Sequence, residues 1–143
     1  MTLAYFDTSV LVKNYVEEAG SARARALLRS HGFLSSSIAP VELMSALIRR
    51  KSRGELEAED VPRILARIRK DRPYWKLLEV GVSVLSEGEE LIQKTRMRTL
   101  DAIHIASLVT FQVPAGIQIP FVTGDSRQRD AANGLGLDVV WVG

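Results

Sequence analysis

The chain has 143 residues, 46% of them hydrophobic and 25% charged, with a formal net charge of +2, which suits one globular domain with a real core. It contains no cysteine, so disulfides, thiolate catalysis and cysteine-ligated zinc are excluded, and with only His31 and His104 a histidine-rich metal site is not expected. The N-terminus lacks a basic segment leading into an apolar run, and no apolar run approaches the length of a membrane span, so a cytoplasmic protein is expected.

Leu3 to Phe6 reads as a short buried strand that delivers Asp7 to its carboxyl end. In open α/β sheets the ligand crevice lies there. Asp7 also suits the cap of the helix that follows, as do Thr8 and Ser9. From Val10 to Glu18, Leu11, Val12, Tyr15 and Val16 share one helical face. Gly20 stops that helix and Ser21 caps the next, which runs to about Ser30 with Leu27 and Leu28 inward. Phe33 to Ser36 reads as a strand. Ser36 or Ser37 then caps a helix with Pro40 in its first turn. Its inward residues are expected to be Val41, Met44, Leu47 and Ile48, and it ends in Arg49-Arg50-Lys51, as the helix dipole favours.

Ser52-Arg53-Gly54 forms a turn. Glu57, Glu59 and Asp60 open another helix with an apolar stripe of Val61, Ile64, Leu65 and Ile68, closed by Pro73. Trp75 to Val80 reads as a strand, and Ser83 caps a helix bearing Val84, Leu85, Leu91 and Ile92. Thr99 caps the helix Leu100 to Val109, apolar nearly all round and therefore buried. A long loop is expected from Phe111 to Ile119, with Pro114 and Gly116. Pro120 to Thr123 is a strand closing on Gly124-Asp125. A helix from Ser126 to about Asn133 and a strand Val139 to Val142 follow. This alternation implies an α/β fold, one domain over residues 1–143, with a mainly parallel central sheet flanked by helices.

Charge is uneven. Residues 49–72 hold nine Lys/Arg against five Asp/Glu, so this segment carries +4 and the rest of the chain −2. It reads either as two solvated helix faces or as a surface that attracts phosphate, with Arg50, Lys51 and Arg53 as the contacts.

Asp7, Glu42, Asp101 and Asp125 occupy equivalent local contexts, each at a strand end or in a first helical turn. In a parallel α/β sheet those positions share one edge. Taken singly, Asp101 and Glu42 could complement helix dipoles and Asp125 could belong to a Gly-Asp turn. Together, four coincidences at one edge are a poorer account, and an unpaired carboxylate on the buried Asp101 helix would be costly. Clustered oxygen ligands without histidine or cysteine suit Mg²⁺ or Mn²⁺. The hydroxyls of Thr8, Ser9 and Thr123 can orient them. His104 reads as a core histidine with its hydrogen bonds satisfied.

Tyr5-Phe6-Asp7-Thr8-Ser9-Val10-Leu11, Glu42 in an early helix, Leu100-Asp101-Ala102-Ile103-His104-Ile105-Ala106 and Thr123-Gly124-Asp125 together resemble the motifs of PIN-domain ribonucleases. The size and the Asp-Thr-Ser start are most similar to the VapC-type toxins of type II toxin–antitoxin pairs. The resemblance spans nearly the whole chain. It implies that Asp7, Glu42, Asp101 and Asp125 form a Mg²⁺ (or Mn²⁺) site supported by Ser9 and Thr123, and that RNA is cleaved. It also implies a homodimer and a cognate antitoxin; Leu43, Leu47, Ile64 and Ile68 lie on the helices beside the basic segment, where an antitoxin would find apolar contacts. An aspartyl-phosphate phosphotransferase shares the strand-then-Asp start, but such enzymes resemble Asp-x-Asp, and Ser9 stands at the second acidic position. A PIN nuclease of RNA processing and a catalytically silent RNA-binding or scaffold module of the same fold are the remaining alternatives.

Overall fold

β1 (Leu3–Phe6) forms the centre of a five-stranded, wholly parallel sheet in the computed structural model, which describes all residues 1–143. The remaining elements are α1 (Thr8–Tyr15), α2 (Ser21–Ser30), β2 (Gly32–Ser36), α3 (Ala39–Ser52), α4 (Asp60–Asp71), β3 (Lys76–Leu78), α5 (Val82–Thr95), α6 (Thr99–Ala115), β4 (Phe121–Thr123), α7 (Ser126–Gly134) and β5 (Val139–Trp141). Strand order is β3-β2-β1-β4-β5. The chain winds outward through β2 and β3, then returns to the other side of β1 to lay down β4 and β5. Tyr5 pairs with Leu34 on β2 and with Phe121 on β4. The direction of winding therefore reverses between β1 and β4, and the carboxyl ends of those two strands frame the crevice expected of such a sheet.

Alternation along the strands separates the core into two layers. Tyr5, Leu34 and Phe121 face α5, α6 and α7, packing with Val84, Leu91, Ile105, Leu108 and Ala132. Ala4, Phe6 and Val122 face the opposite way, toward Val10 of α1 and Ala24 of α2. Beside them Leu11 and Tyr15 of α1 meet Leu43 and Leu47 of α3 and Ile64 and Ile68 of α4. No helix is long and apolar enough to cross a membrane.

The structure corrects several local expectations. On α3 the buried residues are Ala39, Leu43 and Leu47, spaced at i, i+4, i+8, whereas Val41, Met44 and Ile48 are 68%, 40% and 45% exposed. The helix carries two apolar stripes, and the one that meets α1 and α4 wins the core. Leu85 is likewise exposed, and α5 turns Val84 and Leu91 inward instead. The strand expected over Trp75 to Val80 shrinks to Lys76–Leu78, because a 3-10 turn over Arg72–Tyr74 holds the chain beyond Pro73. The expected loop from Phe111 to Ile119 is mostly helix. α6 runs through Pro114 to Ala115 and stops at Gly116, whose φ of 65° is the left-handed conformation glycine accepts without strain. Pro114 lies in the last turn, so it removes one hydrogen bond near an end that was about to fray. Gln112 then ties the short exit down, its side-chain oxygen accepting from Ile119 N–H at 3.1 Å.

Candidate active site

Asp7 directly follows β1 and stands at the N-cap position of α1, yet its side chain makes no capping bond. Its carboxylate accepts instead from the hydroxyl of Ser9 and, at 2.5 Å, from that of Thr123, the last residue of β4. Ser9 Oγ in turn accepts from Gly124 N–H at 2.8 Å, and Thr123 Oγ1 from Asp125 N–H at 3.0 Å. A lattice of short bonds thus joins the exits of β1 and β4 around a carboxylate that is 2% exposed. The capping account of Asp7 gives way: the residue is spent on the strand ends. Burial raises its pKa and Asp125 adds to the rise, while His104, Ser9 and Thr123 pull it down.

Asp125 follows β4 and is partly exposed; its Oδ1 accepts from Arg127 N–H at 2.9 Å, so it also caps α7. Asp101 lies in the first turn of α6. Its pKa is raised chiefly by burial and next by the charge of Asp125, with Arg127 and His104 opposing. Asp7, Asp101 and Asp125 therefore sit in one another's fields through Asp125, at the edge where helix N-termini and strand ends meet.

Glu42, in the first turn of α3, reaches the same edge but is engaged otherwise. Its Oε1 accepts from Thr8 Oγ1 at 2.6 Å and from His104 Nε2 at 2.6 Å. Burial would raise Glu42, but the bond and charge of His104, with Thr8 and Arg49, outweigh it and leave its pKa lowered. The other ring nitrogen of His104 meets Tyr5 OH at 2.8 Å. Burial, with Asp7 and Glu42 nearby, pushes the Tyr5 phenol well up, so it keeps its proton and donates to Nδ1. In the neutral ring, the roles that satisfy both nitrogens are Tyr5 O–H to Nδ1 and Nε2–H to Glu42. His104 is thus buried with both nitrogens bonded, as expected of it, and it also holds Glu42, a link that the sequence separation of 62 residues hides. His104→Ala would strand a buried hydroxyl and one side of Glu42, and should cost roughly 1–3 kcal/mol. Thermal melts check this; adding Tyr5→Phe should recover part of the loss. An unchanged melt for His104→Ala would show that the relay contributes nothing.

The donors are hard oxygens, and their chemistry fits a divalent cation such as Mg²⁺ or Mn²⁺. As placed, no three acidic or histidine side chains stand close enough together to form a metal cage. Glu42 is held by Thr8 and His104, and Asp125 by its own helix. Coordination by all four would draw these two from their present partners.

Beside the carboxylates opens a cleft of about 490 Å³, lined among others by Ser9, Lys13, Glu18, Arg49, Arg50 and Asp125. Of the three basic residues singled out from sequence, only Arg50 lines it; Lys51 and Arg53 are exposed farther along the chain. Arg49 and Lys13 were not foreseen. Lys13 is 7% exposed inside an apolar helical pattern, and a run of sequence holds no signal for a buried ammonium.

A sequence model of the PIN domain family matches residues 4–134. No curated protein matches the chain. Among solved structures, a toxin–antitoxin complex from Klebsiella pneumoniae is similar in fold, with a TM-score of 0.63 and 15% identity over 96% of this chain and 95% of that one. With the family match covering nearly all of the sheet and the acidic edge, the chain belongs to the PIN domain family.

Proposed function

We propose that the protein is a nuclease that cuts RNA internally with Mg²⁺ or Mn²⁺, and that it acts as the toxin of a toxin–antitoxin pair. The observation that carries this reading is Asp7, a buried carboxylate at the reversal point of the sheet, bonded by Ser9 and Thr123 from two strand ends and felt by Asp125. A structural carboxylate would sit there only at a cost; a ligand for a cation offsets it. Asp7, Glu42, Asp101 and Asp125 would hold the ion. When bound, a divalent ion of this kind activates water and steadies charge on a phosphodiester. Ser9 and Thr123 fix the orientation of Asp7, and Thr8 and His104 fix Glu42.

PIN domains are generally nucleases, which supports hydrolysis as the chemistry. The fold neighbour is a toxin–antitoxin complex, which supports a cognate antitoxin as partner. Leu43, Leu47, Ile64 and Ile68 are core residues, so they offer that partner no surface. The exposed Val41, Met44 and Ile48 on α3 and Leu100 on α6 supply an apolar face for a homodimer; sedimentation as a monomer at micromolar concentration would count against it.

Purified protein should cut total RNA with Mg²⁺ or Mn²⁺, stop with EDTA, and lose cleavage in Asp101→Asn with the fold retained. Undiminished cleavage by that variant, or none by the wild type with either metal, overturns the reading. Growth arrest on expression, relieved by the product of an adjacent small gene, separates a toxin from an RNA-processing nuclease.

A further inference from the structure

We propose that the cleft beside the acidic edge seats a backbone phosphate of single-stranded RNA on Arg49 and Arg50, and that Glu18 stands in for this phosphate until the strand displaces it. The proposal rests on the nuclease reading for its choice of ligand. It concerns how the strand is gripped and not how it is cut.

The cleft places three cations together. Lys13 of α1 forms its floor. The Lys13 chain runs so close under Gly124 that a methyl on that glycine would overlap its Cε, which brings the ammonium beside the loop bearing Asp125. Its Nζ donates to Ala19 C=O at 2.6 Å and contacts Glu18 Oε1 at 3.3 Å. Glu18 Oε2 meets Arg50 at 2.7 Å. One carboxylate therefore bridges two cations, and neither has another anionic partner. Arg49 forms no salt bridge; its guanidinium donates to Ser45 Oγ at 2.7 Å, and its charge reaches Glu42. The lining sets three cations, Lys13, Arg49 and Arg50, against three carboxylates, but Glu42 is engaged by His104 and Asp125 by Arg127, so Glu18 alone is ion-paired with the cations. This leaves Arg49 without an ion pair and Arg50 on a carboxylate that another anion can replace. A phosphate presents more oxygens than Glu18 and matches the planar fork of arginine. Glu18 sits at the mouth of the α1–α2 turn, partly exposed, so it can swing out to water as a phosphate takes its place, while Lys13 keeps Ala19.

A purely structural account is that Lys13–Glu18–Arg50 staples that turn to α3. The two accounts differ in sign for one substitution. Under the staple, Glu18→Gln is neutral or harmful to RNA binding; under displacement, it frees Arg50 and tightens binding. The experiment is fluorescence anisotropy of a labelled single-stranded RNA of about 20 nucleotides, in EDTA so that nothing is cut, from 50 to 200 mM NaCl. Arg49→Gln/Arg50→Gln should weaken binding about tenfold or more and flatten the slope of log K against log salt by about 0.7 for each phosphate that is no longer neutralised. Glu18→Gln should tighten binding roughly three- to tenfold. Lys51→Gln/Arg53→Gln removes the same charge outside the cleft and should change binding less than threefold. Circular dichroism confirms that each variant is folded.

Absence of RNA binding by the wild type, an equal loss from Lys51→Gln/Arg53→Gln, or no tightening in Glu18→Gln overturns the proposal. RNA that binds as expected but is not cut with either Mg²⁺ or Mn²⁺ leaves it standing and fells the nuclease reading. RNA that is cut while binding ignores Arg49, Arg50 and Glu18 does the reverse.

Discussion

Asp7→Asn is expected to lose RNA cleavage by on the order of 10³-fold or more and yet to melt several degrees above the wild type in EDTA. The two effects share one cause. Asp7 is buried and carries a raised pKa, so its charge is held against the preference of the fold. Asparagine keeps the shape and one acceptor. Its amide needs an acceptor of its own, and the hydroxyls of Ser9 and Thr123, which now donate to Asp7, can rotate to accept. In a protein of this size each kcal/mol recovered raises the melting temperature by roughly 2–4 °C.

The pH dependence follows with a definite sign. A carboxyl whose folded pKa is raised binds its proton more tightly in the folded state. Its contribution is favourable at low pH and erodes as pH climbs from the ordinary carboxylate range through the raised value. The advantage of Asp7→Asn should therefore be largest at neutral pH and shrink on acidification. Glu42 runs the other way, since its lowered pKa contributes stability that is lost as pH falls. It is present in both proteins and cancels from their difference. Millimolar Mg²⁺ should raise the wild-type melt through binding to the folded state alone, and Asp7→Asn less. Equal melts in EDTA together with equal gains from Mg²⁺ would mean that Asp7 belongs to no metal-binding group of acids.

Gly20→Ala is expected to cost several kcal/mol, on the order of 3–5. Gly20 has a φ of 85°, in the left-handed region, which alone costs a side chain about 1–2 kcal/mol. A methyl there would also overlap the carbonyl of Val142, just beyond β5. That neighbour is backbone and cannot rotate aside. Either the α1–α2 turn or the end of the sheet must shift, and the turn carries the Ala19 carbonyl that holds Lys13. Gly54→Ala is the internal control, with a φ of 77° but open space around the added carbon. It should lose only the conformational part. Urea midpoints for the two variants give the comparison, and equal losses would show that the overlap with Val142 carries no energy.

The layout of the sheet was legible because its signals are local. Leu3 to Phe6 is a short apolar run ending in a carboxylate, and Thr123-Gly124-Asp125 repeats that pattern. Alternation with helices then implies parallel pairing, which the structure has throughout. The acids were legible for the same reason: strand ends and first helical turns can be read from sequence, and all such positions share an edge. What escaped was set by tertiary partners. Either apolar stripe of α3 could have faced inward, and only the position of α1 and α4 chooses Leu43 and Leu47. Pro114 reads as a stop, and it is tolerated because the helix ends one residue later. The attachment of Glu42 to His104, and the burial of Lys13 beneath Gly124, join residues that no spacing rule connects.

The bond from Thr123 to Asp7 spans 116 residues, and it closes the pairing of the first strand with the fourth. Contacts of such separation place folding toward the slow end for small α/β domains. They also set an order in time. A chain synthesised as far as α6 already contains Asp7, Glu42 and Asp101, but β1 then has an open flank and Asp7 lacks one of its two hydroxyl donors. For the toxin proposed above, the growing chain would be harmless until its fourth strand docks.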